Sequence, residues 1–535
     1  MEGARRCGGL NSLELALPDL GYIAHVRTYA PEEQTVASEK SVIIIGAGLA
    51  GLSAGCYAQM NGYKTHIFEH HSAPGGVAAS WKKEGYLIDG GIHFLMNHRP
   101  GSSIHKMYEE LGAIQANKVL DIDLFVRFKD EASGRSIDFT KDLDKIEKEL
   151  VALSPGDRRK IHGIFSGARK MSGMDSSGIG GSDAPQTLGV KIRNFVTMLR
   201  FLRLIFGKYG KPMSEYARGI SDPWLRFVLE NMFLPEVPVW FDMMFLQMLA
   251  ENNLGILAGG SQSFVHPIEQ RYKDLGGEVT YRSTVEKILV QDNKAVGIRL
   301  EDGTEYHADL VVSAADGHST IFEMLGGKYV DDRIKDMYDH WKLIRPTVMI
   351  NYGVALEMKE SPWLTLMRLK QPIVVGKNST DMLSVRIFNY SDKFAPPGKT
   401  VVQACIETEW DFWNDLRKDE ASYEAEKERI AQEVLLRLES TCPGISPKVE
   451  VTDASTPFTT WRYTRNYKGA YMGWLPEPKI LLKKMRNTLP GLEGFYLIGQ
   501  WATPGGSVPT SLSTGRGLVK ELCKRDGKTF VARMP

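Results

Sequence analysis

Long apolar runs are missing from this chain: none reaches the roughly 18 uninterrupted apolar residues that a bilayer-spanning helix needs. Cysteine is scarce. The five present (Cys7, Cys56, Cys405, Cys442 and Cys523) lie far apart, with no CxxC pair and no Cys/His ligand spacing. That odd count and scatter exclude a disulfide framework and a structural zinc site, and no metal is expected. An excess of one charge is missing too: 66 Lys and Arg against 65 Asp and Glu leave a net charge of +1, so the overall balance does not call for nucleic acid. The first 40 residues carry Arg5 and Arg6 but lack the apolar core of a secretory signal. With Pro18, Pro31 and a polar end at Ala37-Ser38-Glu39-Lys40, residues 1–40 read as a loosely ordered leader without an assigned function. A reducing, cytoplasmic compartment is the expectation.

What is present is an ordinary globular composition, 43% hydrophobic and 24% charged. At 535 residues the chain is too long for a single core, and two joined domains are expected. Ser41-Val42-Ile43-Ile44-Ile45 is a β-branched run of the buried parallel-strand type. It leads into Gly46-Ala47-Gly48-Leu49-Ala50-Gly51 and then a helical pattern through Leu52, Ala54, Tyr57, Ala58 and Met60. Gly62 ends that helix, and Lys64 to Glu69 begins a second strand. Gly46 permits the tight turn, Gly48 allows backbone to approach a diphosphate, and Gly51 lets helix and strand pack closely. The helix N-terminus offers free N–H groups to phosphate. Glu69 stands where an acid accepts hydrogen bonds from ribose hydroxyls.

Near the other end, Gly494-Phe495-Tyr496-Leu497-Ile498 reads as a strand, followed by Gly499-Gln500 and by Thr503-Pro504-Gly505-Gly506-Ser507-Val508-Pro509. A helix from Ser511 to Lys524 carries Leu512, Leu518, Val519 and Leu522 on apolar positions. Between these ends, Gly259-Gly260-Ser261 precedes a helix. Alternating segments from Val279 to Val312, with Asp302-Gly303 as a hairpin, predict a small sheet.

Together with Gly75-Gly76 and Asp89-Gly90-Gly91-Ile92-His93, these motifs resemble the broad FAD superfamily that contains amine oxidases, phytoene desaturases, carotenoid isomerases and retinol saturases. The resemblance runs from about Val42 to Lys524. It implies an α/β fold: a Rossmann-like FAD-binding domain of a GR2-type flavoprotein with an inserted α+β substrate domain. The implied boundaries are 41–110, 246–320 and 456–525 for the FAD-binding domain, and 111–245 and 321–455 for the substrate domain. It further implies that Gly46 to Gly51, Glu69, His70, Gly75, Gly76, Val77, Gly91, Ile92, His93, Gly499, Gln500, Ser507, Val508 and Pro509 contact FAD, and that Val285 approaches the adenine through its backbone. The second helix N-terminus would favour negative charge at the N1/C2 oxygen region of the reduced flavin. Two departures stand out. Val77 occupies a position where the family often has Arg, and Gln500 one where relatives often carry an acid.

The intervening segments should choose the substrate. Ser172 to Ser182 is small and polar and reads as a mobile loop; no buried strand precedes it, so it is not a phosphate site. Arg193, Arg200, Arg203 and Lys208 flank an apolar cluster from Phe195 to Phe206. At 100° per residue Arg193, Arg200 and Lys208 fall within one stripe with Arg203 at its edge, which leaves two readings open: an interfacial helix at a lipid headgroup layer, or a core helix with a solvated rim. Phe233 to Leu249 is rich in aromatics and Met, fitting either a hydrocarbon tunnel or plain core. Trp461, Tyr463, Tyr467, Tyr471 and Trp474 precede the closing motif and are expected towards the flavin. Among histidines, His70 and His71 belong on the adenosine side, and His93 is the catalytic candidate, with neutral packing or a supporting hydrogen bond as the alternative role.

A flavin exchanges hydride without a triad or a metal. The expected function is therefore FAD-dependent desaturation, saturation or cis-trans isomerisation at C–C bonds of a long isoprenoid, carotenoid or retinoid-like substrate. The expected partner is a hydrophobic small molecule, with peripheral membrane contact left open and the oligomeric state unread. No second strand–GxGxxG–helix unit appears, so electrons leave to oxygen, a quinone or another acceptor, or return to the substrate. An amine or amino-acid oxidase of the same fold is one alternative; no cysteine between Cys442 and Cys523 is available to attach a flavin. A non-catalytic flavin-containing binding or escort protein is the other.

Overall fold

The computed structural model describes residues 39–172, 199, 202, 205–481, 483 and 485–535. The leader up to residue 38, the glycine- and serine-rich stretch beyond Ser172, and the amphipathic segment apart from Leu199, Leu202 and residues 205–208 lie outside the described residues.

The β-branched run Val42-Ile43-Ile44-Ile45 is 1–4% exposed, which requires cover on both faces. It sits third in a five-stranded parallel sheet ordered Glu278–Thr280, Lys64–Phe68, Ser41–Ile45, Leu310–Ser313, Phe495–Leu497. Three distant parts of the chain thus build one sheet. One face is covered by helices Leu49–Met60, Gly260–Asp274 and Val508–Arg525, whose Leu52, Tyr57, Phe264, Tyr272, Leu512 and Leu518 are each at most 2% exposed in a common core with Val42 and Ile44. The other face packs Ile43, Ile45 and Val311 against a three-stranded antiparallel sheet over 285–307. Asp302-Gly303 turns between its last two strands, with Gly303 at φ +86°. Its first turn, Asp292-Asn293 at φ +48° and +59°, has the type I′ form that suits strand twist.

A seven-stranded sheet is ordered Val449–Ser455, Thr347–Val354, Thr400–Glu407, Asn378–Ile387, Leu364–Val375, Leu124–Asp130, Ser136–Thr140. All neighbours are antiparallel except Leu364–Val375 with Leu124–Asp130. Helices Arg158–Lys170, Pro223–Glu230 and Val239–Ala250 share a core with Phe125 and Phe128 through Phe165, Trp224 and Met243. The Phe233–Leu249 run is largely core: Met243, Phe245, Met248 and Leu249 are at most 5% exposed.

The last helix starts at Val508, three residues before the predicted Ser511. Ser507 caps it, accepting from the Thr510 N–H at 3.2 Å, and Pro509 occupies its first turn, where a missing N–H costs nothing. The apolar pattern begins only at Leu512, so periodicity alone misses this turn.

Among the described residues no helix is long and apolar enough to cross a membrane. The four described cysteines are unpaired.

Candidate functional site

Parallel strands ending at Ile45, Phe68, Ser313 and Leu497 release their loops along one sheet edge, the edge at which open α/β sheets bind ligands. Gly46, at φ +98°, turns the chain there, and its N–H donates to the Phe68 carbonyl. A Cβ on Gly51 would lie 2.0 Å from the Gly46 carbonyl oxygen, so only glycine permits this turn to close onto the helix. Gly48 precedes helix Leu49–Met60 without a side-chain cap, and a Cβ there would meet nothing within 4 Å. Leu49 and Ala50 open that helix and are buried. An uncapped helix start beside open space presents its N–H groups and positive dipole end to an anion.

Ala47 is tied to the acid ending the second strand: its N–H donates to Glu69 Oε2 at 2.6 Å, and that of His71 to Oε1 at 2.8 Å. Burial pushes the Glu69 carboxyl up while these two N–H groups pull it down. The Glu69 backbone bonds the Thr280 carbonyl and the Ser283 N–H, which brings the start of strand Val285–Gln291 to the same corner. Val285 is buried two residues beyond Ser283. His70 lies on the same side, with Nδ1 2.7 Å from Thr284 Oγ1 and Nε2 3.1 Å from the Arg462 carbonyl.

The double glycine folds back on this loop. Gly75 pairs with Gly48, donating to the Ala47 carbonyl at 2.9 Å, and a Cβ on Gly76 would stand 3.6 Å from the Gly48 Cα. Val77, half-buried, continues to Ala78, and a Cβ on Gly91 would lie 2.6 Å from the Ala78 Cα. Ile92 donates to Ser261 Oγ at 2.6 Å, and the Ser261 N–H donates to Asp89 Oδ1 at 3.0 Å. The Gly259-Gly260-Ser261 helix start thus fixes the Asp89–His93 segment.

The closing motif arrives from the opposite side. Gly499 is at φ +90° with its N–H donating to Thr514 Oγ1, and a Cβ there would stand 3.4 Å from the Ala50 Cβ. Gln500 Nε2 approaches Asn466 Oδ1 at 3.4 Å. Ser507, Val508 and Pro509 form the start of the last helix. That helix crosses the fingerprint helix so closely that a Cβ on Gly515 would lie 2.7 Å from the Ala50 carbonyl oxygen; Ser53 Oγ donates to the Leu512 carbonyl. The predicted residues of both chain ends therefore meet.

The aromatics before the closing motif divide. Trp474 is buried, its Nε1–H donates to the Trp501 carbonyl, and its carbonyl accepts from Gly505. Tyr463 is 44% exposed beside His71, away from that group.

His93 lies on a small cavity that it shares with Asp89, Ile92, Trp363, Arg386, Phe388 and Tyr390. Arg386 Nη1 donates to His93 Nδ1 and, at 3.1 Å, to Gln403 Oε1; Gln403 Nε2 donates to the Asp89 carbonyl at 2.9 Å. Burial first, and the neighbouring guanidinium second, hold His93 well below the usual imidazole range, so the ring is neutral and the proton sits on Nε2. Beyond Trp363 and the adjacent Phe94, apolar rings continue inward: Phe94 meets Phe125 and Phe245 edge-on at 5.3 and 5.7 Å, and Phe125 meets Trp363 at 5.9 Å.

Several groups at this edge belong to no sequence motif. Arg386 reaches His93 across 293 residues. Asp316 follows the fourth strand of the parallel sheet and accepts from the Ser319 and Tyr467 N–H groups, each at 2.7 Å; burial raises its carboxyl to about 7. An arginine inside the apolar alternation of strand Asn378–Ile387 was the one available hint for Arg386.

The profile of the flavin containing amine oxidoreductases matches residues 49–522. The chain is 24% identical over 489 residues to a chloroplastic prolycopene isomerase from Arabidopsis thaliana, covering 87% of this chain and 80% of that protein. It is 26% identical over 511 residues to a neurosporene-forming phytoene desaturase from Rhodobacter capsulatus, covering 88% and 92%. The fold is similar to that of an oxidoreductase from Methanosarcina mazei, with a TM-score of 0.57, 18% identity, and coverage of 90% of this chain and 100% of that one.

Proposed function

The chain belongs to the flavin containing amine oxidoreductase family and is an FAD-dependent oxidoreductase, and from that premise we propose that it desaturates, saturates or isomerises C–C bonds of a long isoprenoid or polyene substrate. The observation that carries this reading is the wall of Trp363, Phe94, Phe125 and Phe245 leading from His93 into the core. Such a wall suits a hydrocarbon chain.

The geometry supports the cofactor assignments. Gly46 to Gly51 and the uncapped helix start fit a diphosphate, for which Gly48 and Gly76 leave backbone bare. Glu69 keeps lone pairs for ribose hydroxyls, with His70 and Val285 at the adenosine end. Gly91, Ile92 and His93, together with Gly499, Gln500, Ser507, Val508 and Pro509, would hold the ring system. Segments 41–110, 246–320 and 456–525 form the FAD-binding domain, and 111–245 and 321–455 the substrate domain. FAD supplies hydride exchange with carbon. The chain's own residues position and seal: the aromatic wall excludes water, and neutral His93 offers a hydrogen-bond donor at Nε2 without bringing charge. Anaerobic mixing with phytoene, lycopene isomers and retinoids, with putrescine as control, tests this. Polyene products with or without flavin bleaching support the reading; bleaching by the amine alone contradicts it.

Leu199 and Phe206, the exposed apolar residues described in the amphipathic segment, are 46% and 75% exposed, which supports peripheral contact with a membrane. Flotation with anionic liposomes checks it: protein that stays at the bottom of the gradient rules the contact out.

A further inference from the structure

The guanidinium of Arg386 makes no ion pair among the described residues. Its Nη1 bonds only neutral groups, His93 Nδ1 and Gln403 Oε1, and its buried Nε makes no hydrogen bond. Among the described residues no carboxylate lies within 4.0 Å of it. Asp89, the carboxylic acid on the cavity, lies beyond that distance, and its Oδ1 is taken up by Ser80 Oγ and the Ser261 N–H. A guanidinium away from bulk water is ordinarily matched by a planar oxyanion that its fork can grip with two parallel bonds.

We propose that Arg386 anchors a carboxylate at the end of the substrate chain, so that the enzyme takes a polyunsaturated carboxylic acid instead of a bare hydrocarbon. The inference rests on the C–C bond reading above and narrows it. Charge selects carboxylate over phosphate. Arg386 contributes one positive charge and His93 none, and Asp89 on the same cavity opposes a head group that brings two or three negative charges, as a phosphate or diphosphate does. The cavity is small, which disfavours a bulky head group. Trp363, Phe388 and Tyr390 form walls for the carbons next to that head, and the Phe94, Phe125 and Phe245 rings continue the path.

Titration of the FAD-loaded enzyme with retinoate and linoleate and with their methyl esters, followed through the visible spectrum of the bound flavin, tests the anchor. The wild type is expected to bind the acids at least about 10-fold more tightly than the esters. Arg386→Gln should weaken acid binding roughly 10- to 100-fold and leave the esters unchanged, with Arg386→Lys recovering part of the loss. Equal affinity for acid and ester in the wild type overturns the anchor and leaves the C–C reading intact. Loss of FAD in both Arg386 variants also overturns it, by assigning the guanidinium to the cofactor. Failure of every acid, ester and hydrocarbon polyene to perturb the flavin removes both readings together.

Discussion

Glu69 and Asp242 are both buried acids, and their partners separate their roles. Glu69 receives two backbone N–H bonds. In Glu69→Gln the amide must turn its NH₂ towards one of those donors and loses the charge that strengthens bonds from ribose hydroxyls. Bonds to a charged acceptor are worth about 1.5–3 kcal/mol, so FAD affinity should fall roughly 10- to 150-fold. The flavin-to-protein ratio after dialysis reads this directly, and an unchanged ratio contradicts the ribose assignment. Asp242, in the first turn of helix Val239–Ala250, is fully buried, and neither carboxylate oxygen has a partner. Burial holds its carboxyl well above the usual 3.8. The folded state thus binds this proton more tightly than the unfolded chain, so the group's contribution is fully present below about pH 4 and falls as pH rises towards the raised folded value. The slope is at most about 1.4 kcal/mol per pH unit. Asp242→Asn keeps the shape and removes the titration. Urea melts from pH 4 to 8 should show the variant gaining stability relative to wild type as pH rises; parallel profiles would show that the carboxyl titrates normally.

The crossing of the two helices that begin at the site is an element-scale feature with a control on the same helix. Alanine at Gly515 sets a Cβ 2.7 Å from both the Ala50 carbonyl oxygen and the Ala54 nitrogen, whereas at Gly517 it meets nothing within 4 Å. Gly515→Ala should cost about 1–3 kcal/mol by overpacking and loosen FAD, outweighing the gain of up to about 1 kcal/mol from replacing a helical glycine. Gly517→Ala should keep that gain and raise the melting temperature. If both variants melt alike, the close crossing is not needed. Elements of this kind were readable where one residue type answers one geometric demand. The run Val42 to Ile45, the glycines at 46, 48 and 51, and Gly75-Gly76 declare strand, turn and close approach through local chemistry. The start of the last helix was misjudged because its cap and proline precede the apolar period. Asp292-Asn293 went unread as a turn because its left-handed backbone lacks glycine.

On the scale of the whole molecule, the site exists only because chain ends hundreds of residues apart share one sheet. That sharing was legible for the fingerprint and the closing motif, since each carries its own glycines. It was illegible for Arg386, Gln403 and Asp316, which acquire their roles only by partners across the fold. Sequence also left open whether Phe233 to Leu249 lines a tunnel; most of that run is core, and Phe245 reaches the path beside His93 through Phe94. Whether both ends of the chain hold one FAD is read from the visible spectrum of the purified protein before and after anaerobic dithionite, with FAD quantified per chain. A flavin spectrum that bleaches on reduction, at close to one FAD per chain, is the expected result. A protein that shows no flavin, even after reconstitution with FAD, would contradict it.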